Sequence, residues 1–370
     1  MKEKIGERIN NLQKEVVSLG LDAAVIKDRE NLIYFVGVED LECGSLIVPA
    51  KGEAVLFCLW LDANHVREVS GIKNVIPYMF PKENISKKTA EYIAQMGINE
   101  PKVGFTRYFI DLQDFLWLHR LVPKIHVKDI GGVCYKLRSV KDQEEIDYIR
   151  KAAGFLQYGM KAAVDALKPN VKETDVLAEA DYAMRKAGSE GATFKMQVLR
   201  HDRQMLVHPY AGNYIIENNQ PVVVHLGSSY KGYTAKMCRT IFLGNVDKET
   251  VKIYNILIKA QEIAVNNLVP GVKTSEIYDA VYRYIDDQGY GKTFIDYIGY
   301  GVGIRQSEFY PIIGKNLDHI IEENMVVDVL LPTLYKPKVG GPRITDTILV
   351  KKNSCEYLTS FDRNPIVKNF

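Results

Sequence analysis

The chain has 370 residues, 46% hydrophobic, 25% charged and 10% aromatic, which is long for one hydrophobic core and comfortable for two domains. Forty-eight basic residues against 46 acidic leave a formal charge of +2, giving no general reason to expect nucleic acid or a membrane surface as partner. Five scattered cysteines, Cys43, Cys58, Cys134, Cys238 and Cys355, never form a C-x-x-C pair; this argues against a disulfide framework or zinc ribbon and for a reducing cytoplasm.

The opening MKEKIGERINNLQKEV reads as a charged amphipathic helix rather than an apolar signal segment, and no run approaches the ~20 apolar residues of a membrane span. The first third alternates helices and strands. A helix around Ile5 to Ser18 leads to LDAAVIKD and NLIYFVGV, and GSLIVPAKGEAVLFCL reads as a hairpin about an Ala50-Lys51-Gly52 turn. Near Leu137 the texture changes. Ser139 is the expected cap of a helix with Asp142 three residues on, and Ile146, Ile149, Ala153, Leu156 and Met160 follow at helical spacing. The expected domains are residues 1–137 and 138–370.

The second domain contains a repeat. AVDALKPNVKETDVLAEA from Ala163 matches AVNNLVPGVKTSEIYDAV from Ala264 without a gap. In each copy a helix ends, a Pro-containing turn follows, and Thr174 or Ser275 is placed to start the next helix. Strand-like segments come after each unit: FKMQVL and PVVVHLG, then MVVDVLLP and TDTILV. A duplicated α+β half of this kind places a site between the halves, where strands from both meet. Between the two copies, Val222 to Gly244 reads as a β-hairpin that carries His225, Lys236 and Cys238. Strand alternation puts Lys236 and Cys238 on one face and Met237 and Arg239 on the other.

These segments resemble, in order and over nearly the whole chain, the creatinase, prolidase and aminopeptidase P family. The hairpin is similar to the prolidase pattern D-x-G-x-x-Y-x-G-Y-x-S-D-x-T-R-T at Gly227, Tyr230, Gly232, Tyr233, Arg239 and Thr240. GYGVGIRQSEFYP from Gly299, NMVVDVLLPTLY from Asn324 (with one extra residue) and GPRITDTILV from Gly341 are similar to the other three signatures. The resemblance implies a pita-bread (α+β) C-terminal domain with pseudo-twofold halves, preceded by a smaller α/β creatinase-type domain. It also implies a homodimer.

The same resemblance implies two divalent metals on Asp, Asp, His, Glu and Glu. At those positions this chain carries His225, Lys236, Tyr300, Leu331 (or Leu330, given the extra residue) and Thr345. Two ions ~3.5–4 Å apart need several carboxylates, whereas a charged lysine has no lone pair to offer. The expectation is therefore no metal and no other cofactor. Removing the carboxylates and inserting Lys236, with Arg343 near in sequence, predicts a mildly positive pocket suited to a small anion.

His208, in LVHPYAG, aligns with the family's P-H motif, whose histidine handles protons or substrate. Creatinase-like members keep activity without metal and place glutamates where this chain has Cys238 and Thr345. A lysine two residues from a cysteine favours the thiolate, and with His208 nearby Cys238 becomes a candidate nucleophile, against the plainer reading of a packed thiol. Lys236, Tyr300 and His208 complete the catalytic candidates. His225, Arg343, Glu308 and Thr345 are the substrate-binding candidates, with Glu308 expected to pair with Lys236 or Arg305. His225 reads equally as a structural hydrogen-bond partner, and Arg343 as a carboxylate anchor. The leading expectation is a metal-independent hydrolase of creatinase type, cleaving a C–N bond of a small carboxylate-bearing molecule. The alternatives are a non-catalytic relative used for ligand or protein binding, and a proline-specific (Xaa-Pro) peptidase.

Overall fold

A computed structural model describes residues 2–39, 41, 43–106, 110–206, 209–331, 334–336 and 339–370. It divides into two compact units, Met1–Arg138 and Ser139–Phe370.

The first unit runs α1 (Lys2–Ser18), β1 (Ala23–Ile26), α2 (Arg29–Val36), β2 (Ser45–Pro49), β3 (Val55–Leu59), α3 (Ala63–Ser70), β4 (Asn74–Tyr78), α4 (Ile85–Gln95), β5 (Lys102–Phe105), α5 (Leu112–Leu121), β6 (His126–Asp129) and α6 (Gly131–Ser139). Its six strands form one mixed sheet in the order β4-β3-β2-β1-β5-β6. The expected hairpin is β2–β3, antiparallel, with Gly52 supplying the left-handed turn residue (φ 103°). NLIYFVGV is mostly helical. Asp28 caps α2 through the Asn31 amide, and Gly37 closes it in the left-handed conformation.

The second unit begins with α7 (Gln143–Ala166) and α8 (Glu173–Lys186), then β7 (Gln197–Leu199), β8 (Gln220–Tyr230) and β9 (Tyr233–Leu243). The pattern then repeats with α9 (Lys248–Asn266), α10 (Thr274–Asp287), β10 (Tyr297–Gly301), β11 (Glu308–Gly314), β12 (Val326–Leu331) and β13 (Ile344–Val350), followed by β14 (Cys355–Tyr357) and β15 (Ile366–Lys368). The N-cap of α7 is Asp142, not Ser139: Asp142 and Glu145 form a capping box. Ser139 ends α6, and the intervening backbone is drawn into β-type pairing, Val140 with Met325. Helices α8 and α10 likewise start slightly before Thr174 and Ser275, behind Lys172 and Lys273. These two lysines are equivalent in the repeat, and each bridges an isoleucine, Ile215 or Ile320. The duplication thus extends beyond sequence to backbone pairing.

All these strands join one nine-stranded sheet, whose main path is β11-β10-β12-β13-β9-β8-β7. Strand β9 pairs with β8, β13 and β15, and each of its residues is buried. Helix α7 packs on β8 and β9, and α9 on β12 and β13. The β8–β9 turn places Lys231 and Gly232 at φ 52° and 76°, the type I′ geometry that matches strand twist.

Candidate functional site

The sheet brings strands of both halves together in two adjacent rows. One row runs Gln197, His225, Cys238, Thr345 and Leu330 across β7, β8, β9, β13 and β12. This register sets Leu330, rather than Leu331, across from Thr345. The next row contains Gly227, Lys236, Thr347, Asp328 and Tyr300. Above the rows opens a cleft of about 700 Å³. His225, Lys236, Tyr300 and Arg343 line it, together with Gln197, Ser307 and a set of aromatic side chains.

Lys236 is the centre of the arrangement. Its side chain is 4% exposed, and its ammonium pairs with the carboxylate of Asp328, which is fully buried. It also donates to Ser307 Oγ at 3.1 Å. Asp328 Oδ1 accepts the Tyr300 amide at 2.8 Å. Burial holds the Asp328 carboxyl above the usual carboxylate range, with Lys236 and the Tyr300 amide offsetting only part of that rise. The pocket expected to be positive therefore has its lysine neutralised from behind. Asp328 was not among the candidates, although an acid inside the apolar run MVVDVLLP is a signal, since a buried charge requires a partner.

His225 sits between cations. Its ring lies 5.0 Å from Phe194, and Nε2 is buried without a hydrogen-bond partner. Burial first, then Lys236 and Arg343, hold its pKa well below the usual histidine value, so it is a neutral imidazole at pH 7. Arg343 is 5% exposed. Its guanidinium donates to Gln197 Oε1 at 3.1 Å and to the carbonyls of Gln204 (2.8 Å) and Leu206 (3.4 Å). Only Nε remains without a partner, so the expected bidentate anchor is already engaged within the protein.

Three other candidates lie outside the cleft lining. Cys238 is fully buried, in a small apolar cluster with Leu199 and Val223. Burial raises its thiol to about 12, opposite to the thiolate that a nearby lysine was expected to favour. Nucleophile chemistry at Cys238 is corrected on that ground. Thr345 is fully buried and its hydroxyl has no partner; it cannot touch a ligand in the cleft without rearrangement. Glu308 is 1% exposed, and its Oε1 accepts the Arg305 backbone amide at 3.3 Å, while Asp328 takes the lysine. His208 lies outside the described residues. The cleft's aromatic side chains, Phe194, Tyr210, Tyr297, Phe309 and Tyr335, were not anticipated, because they come from loops and strand ends that no period predicts.

The Metallopeptidase family M24 profile matches residues 147–352, and the Creatinase/Prolidase N-terminal domain profile matches residues 8–140. The Xaa-Pro dipeptidase of Pyrococcus horikoshii is 29% identical over 370 residues, covering 99% of both chains. That of Pyrococcus furiosus is 30% identical over 360 residues, covering 96% of this chain and 99% of its own. The crystal structure of the Pyrococcus horikoshii prolidase superposes with a TM-score of 0.87 at 27% identity, over 96% of this chain and 99% of its own.

The chain belongs to metallopeptidase family M24, with the pita-bread fold and a creatinase-type N-terminal domain. It is therefore a member of a peptidase family. The expectation of a metal-independent creatinase-type C–N hydrolase is overturned: end-to-end similarity runs to Xaa-Pro dipeptidases and solved prolidases. The two glutamate positions that reading needs hold the sealed Cys238 and Thr345.

The family implies two metal ions, and the donor set does not fit them. Among the described lining residues the one imidazole, His225, stands beside an ammonium, and Asp328 is committed to that ammonium. Among the described residues no group of three or more His, Cys, Asp or Glu side chains could hold a metal.

Proposed function

We propose that this chain recognises a short peptide of the Xaa-Pro kind in the cleft between its duplicated halves, without the two-metal hydrolysis step. The Lys236–Asp328 pair carries the reading. In a chain collinear with Xaa-Pro dipeptidases, Lys236 stands where the resemblance puts an aspartate ligand, and Asp328 holds its charge. Tyr300 and Ser307 supply hydroxyls at the cleft floor, and the aromatic walls suit a proline ring. A homodimer and a cytoplasmic setting belong to the same reading, and five free cysteines are in keeping with the second.

Xaa-Pro dipeptidase activity is the second reading, favoured by 29–30% identity along the whole chain. Calorimetric titration with Ala-Pro and Gly-Pro, run beside a proline-release assay with and without Mn²⁺ or Co²⁺, separates the two. Saturable binding without proline release supports the proposal. Metal-dependent release replaces it with the second reading, and neither binding nor release overturns both.

A further inference from the structure

The charge inventory of the cleft narrows the ligand, given the Xaa-Pro reading above. The charged residues lining it are Lys195, Lys236 and Arg343, with no Asp or Glu among the described lining residues. Asp328 is sealed behind Lys236 and paired with its ammonium, so it adds no uncompensated negative charge to the cleft. Asp296, between the lining residues Ile295 and Tyr297, turns its carboxylate to Tyr278 and Lys315. Arg343 has only amide and carbonyl oxygens for partners, so its positive charge is uncompensated by any carboxylate in hydrogen-bond contact.

A free dipeptide is a zwitterion. Its carboxylate is suited to this field, but its ammonium would enter a cationic cleft and lose water with no acid to meet it. Blocking the amine removes that conflict and adds an apolar group for the aromatic walls. Two donors also wait near the positive end: Arg343 Nε, and His225 Nε2 in the tautomer that carries its proton there, both buried and without partners. A ligand acceptor reaching either recovers a hydrogen bond.

We infer that the cleft selects amine-free anions, with N-acylated Xaa-Pro dipeptides bearing a free carboxylate as the favoured class, over free Xaa-Pro dipeptides.

Calorimetric titration of the full chain with four probes tests this: N-acetyl-Ala-Pro, Ala-Pro, N-acetyl-Ala-Pro amide and N-acetyl-phenylalanine. N-acetyl-Ala-Pro is expected to bind at least ten-fold tighter than Ala-Pro, and its amide at least ten-fold weaker than the acid. Lys195→Glu, at an exposed position on the cleft wall, should narrow or invert the preference for the acetylated peptide. Ala-Pro binding as tightly as N-acetyl-Ala-Pro overturns the inference and leaves the Xaa-Pro reading intact. N-acetyl-phenylalanine binding as tightly as N-acetyl-Ala-Pro supports amine-free anion selection while removing the requirement for proline. No binding by any probe overturns both.

Discussion

Replacing Lys236 by methionine tests the buried ion pair directly. The lysine side chain is 4% exposed and its partner carboxylate fully buried, so Lys236→Met strands a charge in the interior with only the Tyr300 amide to stabilise it. Breaking a buried pair from one side costs about 3–5 kcal/mol. For a domain of this size each kcal/mol moves Tm by about 2–4 °C, so the variant's C-terminal domain should melt roughly 6–20 °C lower at pH 7. Lys236→Met combined with Asp328→Asn removes the charge and keeps an acceptor for the Tyr300 amide; it should lie within about 1–2 kcal/mol of the parent. The pH dependence follows from the burial of Asp328. Without lysine, its folded-state pKa stands above the ordinary 3.8, so the folded state holds its proton more tightly. The penalty in Lys236→Met therefore grows as pH rises above 3.8, and shrinks on acidification by up to about 1.4 kcal/mol per pH unit. Scanning calorimetry of parent, single and double variants at pH 5 and pH 7 measures all of this. A single variant losing less than about 1 kcal/mol, or a double variant no better than the single, would refute the buried-pair account.

His225 supplies an independent pH test. Its folded-state pKa lies well below 6.5, so its contribution is fully present above 6.5 and is lost as pH falls below it, by up to about 1.4 kcal/mol per unit. His225→Gln should flatten that slope in urea midpoints measured from pH 7 to pH 5, and an unchanged slope contradicts the assignment; His319, also depressed, adds a separate slope common to both proteins. Cys238, with its thiol at about 12, should resist iodoacetamide at pH 8 in the native protein while the exposed Cys43 is labelled. Mass spectrometry of native and unfolded samples decides this, and native labelling of Cys238 would contradict the burial argument.

The hairpin, the duplication and the resemblance to the family were legible because local signals and global architecture agreed there. Gly232 and the flanking tyrosines specify one turn, and Lys172 and Lys273 recur at equivalent positions with equivalent bridges. The substitution of lysine at residue 236 was legible too, since its place on the site face follows from strand alternation. What the sequence concealed was partnership. Lys236 could be placed on the site face, but its counter-ion is 92 positions away, on a strand whose apolar pattern made Asp328 look incidental. Arg343 retained its identity while its guanidinium was absorbed by Gln197 and two loop carbonyls. Cys238 was assigned its face by alternation, yet alternation does not distinguish a cleft-lining position such as His225 from a sealed one in the same row. Ser139 failed as a cap because it closes α6 and its neighbour Val140 pairs with Met325, 185 positions further on.

The members of the Lys236–Asp328 pair come from different copies of the duplication, Lys236 from β9 and Asp328 from β12. Each copy alone would be left with an ionised group in its interior and nothing opposite it. The pair thus ties the two copies together through a buried contact that neither copy can complete alone.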